Sequence, residues 1–288
     1  GRKTTPALEV EFTFSGNSYG FTLKAAQDTL VFDTENVEYH GYWQYGQPIS
    51  RGHKESYLEE AAKSWSNQVP KHVFPKVRNL MVYHFHDTSE SSPAKQTADV
   101  EDNRFFRSDA GNLPAYLYWL QEKHPTQFRQ IEEHMRLVAP YFDSFVLSPS
   151  RLNEKKIKLE WKQKGSDAYF DAYSLSDGTL RFICLATLLL QPQPPALILL
   201  DEPELGLHPA AIRMLAEMLE AASKRVQVLL ATQSVTLLNN FAPKDVIVAE
   251  NDGKQTTFKR LDQEKLKYWL DDFSIGELWE KNVIGGRP

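Results

Sequence analysis

Two adjacent carboxylates, Asp201 and Glu202, end an unbroken apolar run, Ala196-Leu197-Ile198-Leu199-Leu200. Such a run predicts a strand buried on both faces, as central parallel strands are. In open α/β sheets, ligands bind beyond the carboxyl ends of the strands. An Asp there can hold Mg²⁺ directly or through water, and the Glu beside it can polarise an attacking water. Upstream, Ser176-Asp177-Gly178 open an apolar helix that runs through Leu190. A helix N-terminus exposes unpaired N–H groups and the positive end of a dipole, which attract phosphate; Gly lets the backbone approach closely. Alone, the tripeptide is a good N-cap and no more. Downstream, Val226–Leu230 predicts a second buried strand, followed by Ala231-Thr232-Gln233-Ser234. If the two strands are parallel, Gln233 reaches the same sheet edge, where its amide can read a phosphate or a water.

These groups need a frame. Ile212, Leu215, Met218 and Leu219 share one helical face between the two strands. That completes a strand–helix–strand unit, expected to be right-handed. The first third reads as an antiparallel sheet. Leu8–Phe14 and Tyr19–Leu23 alternate apolar and polar around a Gly16-Asn17-Ser18 turn, and Leu30–Phe32 and Val37–Tyr39 predict further short strands. Tyr42, Trp43 and Tyr45 close it, as packed strand-end aromatics or as a binding platform.

The middle predicts a short helix over 56–66 and a strand over 79–85. His84 and His86 would share a strand face, but no third metal ligand stands at a meaningful spacing. Residues 87–104, rich in Ser, Asp, Thr and Lys, predict a mobile loop. Leu113, Leu117 and Leu120, then Phe128, Ile131, Met135 and Val138, predict two helices, with Pro140 marking the end of the second. Lys156, Lys158 and Lys162 alternate with Ile157, Leu159 and Trp161. That predicts one strand whose basic face either touches a phosphate backbone or is simply solvated, with Glu154 and Glu160 diluting it. The organisation expected is an antiparallel β part over 1–55, a helical insertion over 56–148 and an α/β core over 149–288.

Composition narrows the setting. The 288 residues carry 33 Lys+Arg against 38 Asp+Glu, a formal net charge of −5. That argues against a general nucleic-acid coat. One Cys excludes an intramolecular disulfide. No apolar run approaches the roughly 18 residues of a membrane span, and charges throughout residues 1–30 leave no visible secretory signal. A cytoplasmic home is expected.

With these motifs in order, the chain resembles ABC-type ATPases. Leu175-Ser176-Asp177-Gly178-Thr179-Leu180-Arg181 resembles their signature motif. Leu197–Glu202 resembles the Walker B strand with its catalytic glutamate. Gln233 falls where the family has a switch residue. Asp201-Glu202-Pro203-Glu204-Leu205-Gly206-Leu207-His208-Pro209 resembles the stand-alone, RecF/SMC-related prokaryotic AAA-type ATPases rather than transporters. So do Ser174–Leu185 and the closing Gly276-Glu277-Leu278-Trp279 with Gly285-Gly286-Arg287-Pro288. The resemblance implies a P-loop NTPase core whose copies dimerise around two ATP molecules with Mg²⁺. By that analogy Asp201 supports Mg²⁺, Glu202 orients or deprotonates water and Gln233 senses the γ-phosphate. Ser176, Asp177 and Gly178 meet the nucleotide held by the partner copy.

Two departures stand out. The switch position is usually His in the superfamily, and Gln cannot titrate near neutrality. No G-x-x-x-x-G-K-[ST] phosphate-binding loop occurs. In the family that loop precedes the antiparallel strands, so the segment bearing it is expected ahead of Gly1 or on another chain. This chain alone is expected to be inactive. The function expected of the whole protein is an ATP-driven dimerising switch in DNA maintenance or phage defence, with DNA and an effector protein as candidate partners and no membrane. The alternatives are a non-catalytic ATPase-fold interaction module, against which an intact Glu202 argues, and a DNA-binding clamp using the lysine face. No Toprim-like acidic cluster follows the core, since Asp271-Asp272 lie on a helical stretch.

Overall fold

The computed structural model describes residues 6–41, 44–64, 68–251, 253 and 255–286. Gly1–Thr5, Tyr42, Trp43, the side chain of Tyr45 and Arg287-Pro288 lie outside the described residues. The chain divides into two compact units between Leu80 and Met81.

In the first unit, alternation gives the antiparallel ladder β1 (Ala7–Phe14), β2 (Asn17–Ala26), β3 (Thr29–His40) and β4 (Gln44–Ser50). Gly16, at φ +102°, turns β1 into β2. The two short strands expected over 30–39 are one continuous β3. A register shift at Thr22/Leu23 absorbs the irregularity, so the ladder bends without breaking. Tyr19 and Val37 are buried with Leu58, Val69 and Val73 of α1 (Leu58–Ser64) and α2 (Gln68–Arg78). The boundary expected at 55/56 thus falls inside this unit. Glu35, fully buried, accepts from the hydroxyls of Tyr19, Ser50 and Ser56 and from the Tyr57 N–H. Four donors offset the cost of burying its carboxylate.

The second unit carries the motifs. Its central sheet has the order β12 (Gln227–Ala231), β11 (Leu197–Asp201), β5 (Leu80–Tyr83), and β11 and β12 are parallel. β6 (Ala98–Asp99) follows β5. The helical pair α3 (Leu113–Lys123) and α4 (Pro125–Val138) buries Leu113, Leu117, Leu120, Phe128, Ile131 and Met135, as their spacing predicts. β7 (Phe142–Val146), β8 (Lys156–Ile157), β9 (Glu160–Gln163) and β10 (Tyr169–Asp171) come next, with β9 between β10 and β7. Then α5 (Asp177–Leu190) is buried from Thr179 to Leu189 and packs on α4 and on α6 (Pro209–Ser223). Arg225 crosses to donate to the carbonyls of Leu189 and Gln191, which caps the C-terminus of α5. After β12 come α7 (Val235–Leu238), the hairpin of β13 (Ile247–Asn251) and β14 (Thr256–Arg260), then α8 (Gln263–Leu270) and α9 (Ile275–Glu280). Val248, Leu261, Ile275, Leu278 and Ile284 form a separate small core there.

Three expectations are corrected. Residues 87–104 are a packed segment rather than a mobile loop. Ser92 and Lys95 are buried, Lys95 Nζ donates to the Thr88 carbonyl at 2.6 Å, and Asn112 Nδ2 ties the carbonyls of Asp102 and Phe105. Its polar side chains bond its own backbone, which composition does not register. The lysine stretch is two strands in different sheets, and its charges are occupied. Lys156 pairs with Asp99, Lys158 pairs with Glu160, and Lys162 lies over the Tyr169 ring. Finally, β12 is not buried on both faces. Val228 and Leu230 pack on the core, whereas Gln227, Leu229 and Ala231 are exposed. Among the described residues β12 is hydrogen-bonded along one flank only.

Candidate active site

The ends of β11 and β12 are in register. Asp201 stands opposite Ala231, and the Glu202 N–H donates to the Ala231 carbonyl at 2.8 Å. Asp201, Glu202 and, two residues past Ala231, Gln233 therefore share one sheet edge, as the apolar runs predict. Asp201 and Gln233 are exposed and Glu202 is half-buried. Glu202 sits at φ +38°, a left-handed conformation for a residue with a side chain that precedes a proline. Such strain costs about 1–3 kcal/mol and is typically held where geometry matters. Among the described residues, none of the three side chains makes a hydrogen bond or an ion pair.

That donor set fits Mg²⁺. The ion keeps most of its water and takes one or two carboxylates alongside substrate phosphates. Two unengaged carboxylates at a strand end meet that need, and no group of three or more potential ligands exists among the described residues.

At the start of α5, Ser176 is the N-cap. Its Oγ accepts from the Thr179 N–H at 3.2 Å and lies 2.7 Å from Thr179 Oγ1. Ser176 and Asp177 are exposed. Gly178 is required for a reason beyond anion approach. A Cβ there would lie 2.5 Å from the Gly206 carbonyl oxygen. The helix start thus rests directly on the loop that follows β11. Arg181, one turn on and buried, fastens the contact. Its Nε donates to the Phe85 carbonyl at 2.9 Å, Nη2 to that of His86 at 3.1 Å and Nη1 to that of Leu205. Burial pulls its pKa down from the ordinary guanidinium value, and Asp177 opposes the shift.

The same loop reaches the switch side. Glu204, buried, accepts from the Thr232 hydroxyl at 2.5 Å through Oε1. Burial pushes its pKa up, and the charges of Glu202 and Asp201 add to the rise, while the Thr232 hydrogen bond opposes it. Arg181, Glu204 and Thr232 escape a sequence reading centred on the motifs. The available signals were a lone cation inside the apolar α5 and a third carboxylate after Pro203. His208 caps α6, its Nδ1 accepting from the Ala210 N–H at 3.3 Å. His84 and His86 join no metal-binding group among the described residues.

A family model described as "AAA domain, putative AbiEii toxin, Type IV TA system" matches residues 5–239. The chain belongs to that family. Two solved Smc head domains are similar in fold. One, bound to the C-winged helix domain of ScpA, is 12% identical over 88% of this chain and 77% of its own, with a TM-score of 0.53. The other, from Pyrococcus furiosus, has an extended coiled coil and is bound to the C-terminal domain of ScpA. It is 13% identical over 90% of this chain and 80% of its own, with a TM-score of 0.50. None of the curated proteins matches. The family match makes the chain an AAA domain, and the two Smc heads share its P-loop NTPase α/β fold. The family match spans α5, β11, β12 and Gln233. No helix among the described residues is long and apolar enough to cross a membrane.

Proposed function

We propose that this ATPase domain works as an ATP-driven dimerising switch. The observation that carries the reading is the in-register edge of β11 and β12, which presents Asp201, Glu202 and Gln233 together with their side chains unengaged. In this reading Asp201 holds Mg²⁺, which supplies neutralisation of phosphate charge when bound. Glu202 orients a water and accepts its proton. Gln233 donates its amide to the γ-phosphate and, lacking a titratable group, moves no proton. Ser176, Asp177 and Gly178 present a helix N-terminus to the nucleotide of a second copy.

A phosphate-binding loop is absent from these 288 residues, so tight nucleotide binding draws on one supplied from outside them. The family's description as a putative toxin of type IV toxin–antitoxin systems supports a role within such a system over one in DNA maintenance. The pairing of Lys156 with Asp99 and of Lys158 with Glu160 disfavours the DNA-clamp alternative.

The test uses the complete gene product with ATP and Mg²⁺. Glu202→Gln should stall hydrolysis and accumulate an ATP-bound dimer in light scattering, and adding Ser176→Arg should return it to monomer. A Glu202→Gln protein that stays monomeric at saturating ATP would sink the reading.

A further inference from the structure

Glu204 has no role in the reaction as described, yet it is only 8% exposed and stands two residues beyond Glu202. Its Oε1 takes the Thr232 hydroxyl hydrogen, and its Oε2 has no hydrogen-bond partner among the described residues. The same Thr232 Oγ1 accepts the Ser234 N–H at 2.9 Å, which closes a turn across Gln233. Ser234 Oγ then accepts the Leu237 N–H at 3.1 Å and starts α7. At the far end of α7, Asn239 Oδ1 accepts the Gly276 N–H at 2.7 Å. These hydrogen bonds, joined through the backbone of Ser234 and α7, connect the turn that follows Glu202 with Gln233 and α9.

We propose that Glu204 is a positioning residue: by holding the Thr232 hydroxyl it sets where Gln233 stands relative to Glu202. The inference rests on the roles given to Glu202 and Gln233 above. Gln233 is exposed and its side chain makes no bond among the described residues, so its placement comes from its backbone. That backbone is gripped on both sides by Thr232, and Thr232 is gripped by Glu204. Burial of Glu204 gives the grip its strength. A hydrogen bond shielded from water is not exchanged for one to solvent, and an unpaired Thr232 hydroxyl or Glu204 carboxyl in that place is costly. The tie needs an acceptor at position 204 and no charge, because a protonated carboxyl still offers its carbonyl oxygen to Thr232.

The experiment compares Glu204→Ala, Thr232→Val, Glu204→Gln and Thr232→Ser in the complete gene product. It reads ATPase kinetics and amide hydrogen exchange at Ser234. Losing the tie should cut kcat about 10–100-fold at unchanged KM in Glu204→Ala and Thr232→Val, as expected when a group is misplaced by about an ångström. Ser234 should exchange faster in both. Glu204→Gln and Thr232→Ser keep an acceptor and a hydroxyl, and should stay within about threefold of the parent. Thr232→Val breaks the tie from the other side, which covers the case where Glu204→Ala fails to fold. Parental kcat and exchange in Thr232→Val overturn the proposal. So does a Glu204→Gln protein as slow as Glu204→Ala, which would make Glu204 an acid or base in the chemistry. If the parent hydrolyses no ATP, the switch reading falls by itself, and unchanged Ser234 exchange in Thr232→Val still overturns the tie.

Discussion

Gly178→Ala is the sharpest perturbation of the packing between the signature helix and the loop after β11. The added Cβ would stand 2.5 Å from the Gly206 carbonyl oxygen, whereas ordinary contact begins at 3.4 Å. Close to an ångström must be found, and neither side gives easily. Gly206 occupies φ +76°, and Arg181 holds the neighbouring Leu205 carbonyl. The helix behind Gly178 is buried from Thr179 to Leu189. Forcing extra carbon into packed structure costs about 1–3 kcal/mol. Alanine's better helix propensity returns up to about 1 kcal/mol. The net expectation is a loss of about 1–2 kcal/mol, which at a urea m-value of about 1–3 kcal/mol/M lowers the unfolding midpoint by roughly 0.3–2 M. Asp177→Ala, on the exposed neighbour, serves as control and should change stability by no more than about 1 kcal/mol. A Gly178→Ala protein with the parental midpoint, or a higher one, refutes the packing argument.

Other expectations follow from the same contacts. Glu204 has a raised pKa in the fold, so its contribution to stability is complete below the ordinary carboxylate range and is lost as pH rises through the raised value. Glu204→Gln should therefore gain stability relative to the parent as pH increases, and parallel pH–stability curves would contradict this. Arg181→Met leaves the buried Phe85 carbonyl and the part-buried His86 and Leu205 carbonyls without this donor and should cost about 2–3 kcal/mol, measured by chemical denaturation; a cost under about 1 kcal/mol would rule out the three-way tie. Cys184 is buried and its thiol is pushed up to about 12 by desolvation. It should resist thiol reagents in the native state and react at the unfolding rate, so prompt labelling would count against the burial. Any DNA affinity should keep its salt dependence when Lys156 and Lys158 become Ala, because both already pair with carboxylates.

Much of the site was legible because its residues are consecutive and end-stopped. The apolar runs before Asp201 and Thr232 place those strand ends, and Ser176 declares a helix start. Periodicity also locates α3, α4 and α6. What it misses is whether a face is covered. Val226–Leu230 reads as buried through hydrophobicity alone, yet Leu229 is 54% exposed, because burial depends on neighbours the run itself does not encode. Contacts distant in sequence are silent for the same reason: Arg181 reaches back to Phe85 and His86, and Glu204 reaches forward to Thr232. The polar stretch 87–104 misleads differently. Ser, Asp and Lys there are taken up by local backbone rather than by water, and composition reads both fates alike.

The flank of β12 that is unpaired among the described residues has a consequence for assembly. A row of backbone donors and acceptors beside an exposed Leu229 is a template for one more strand. A parallel strand laid there would end beside Gln233, at the edge where Asp201 and Glu202 wait. Whatever chain supplied that strand would also deliver its next residues to that edge. Completing the sheet and completing the catalyst would then be one event, and the protein could be switched by lending or withholding a strand.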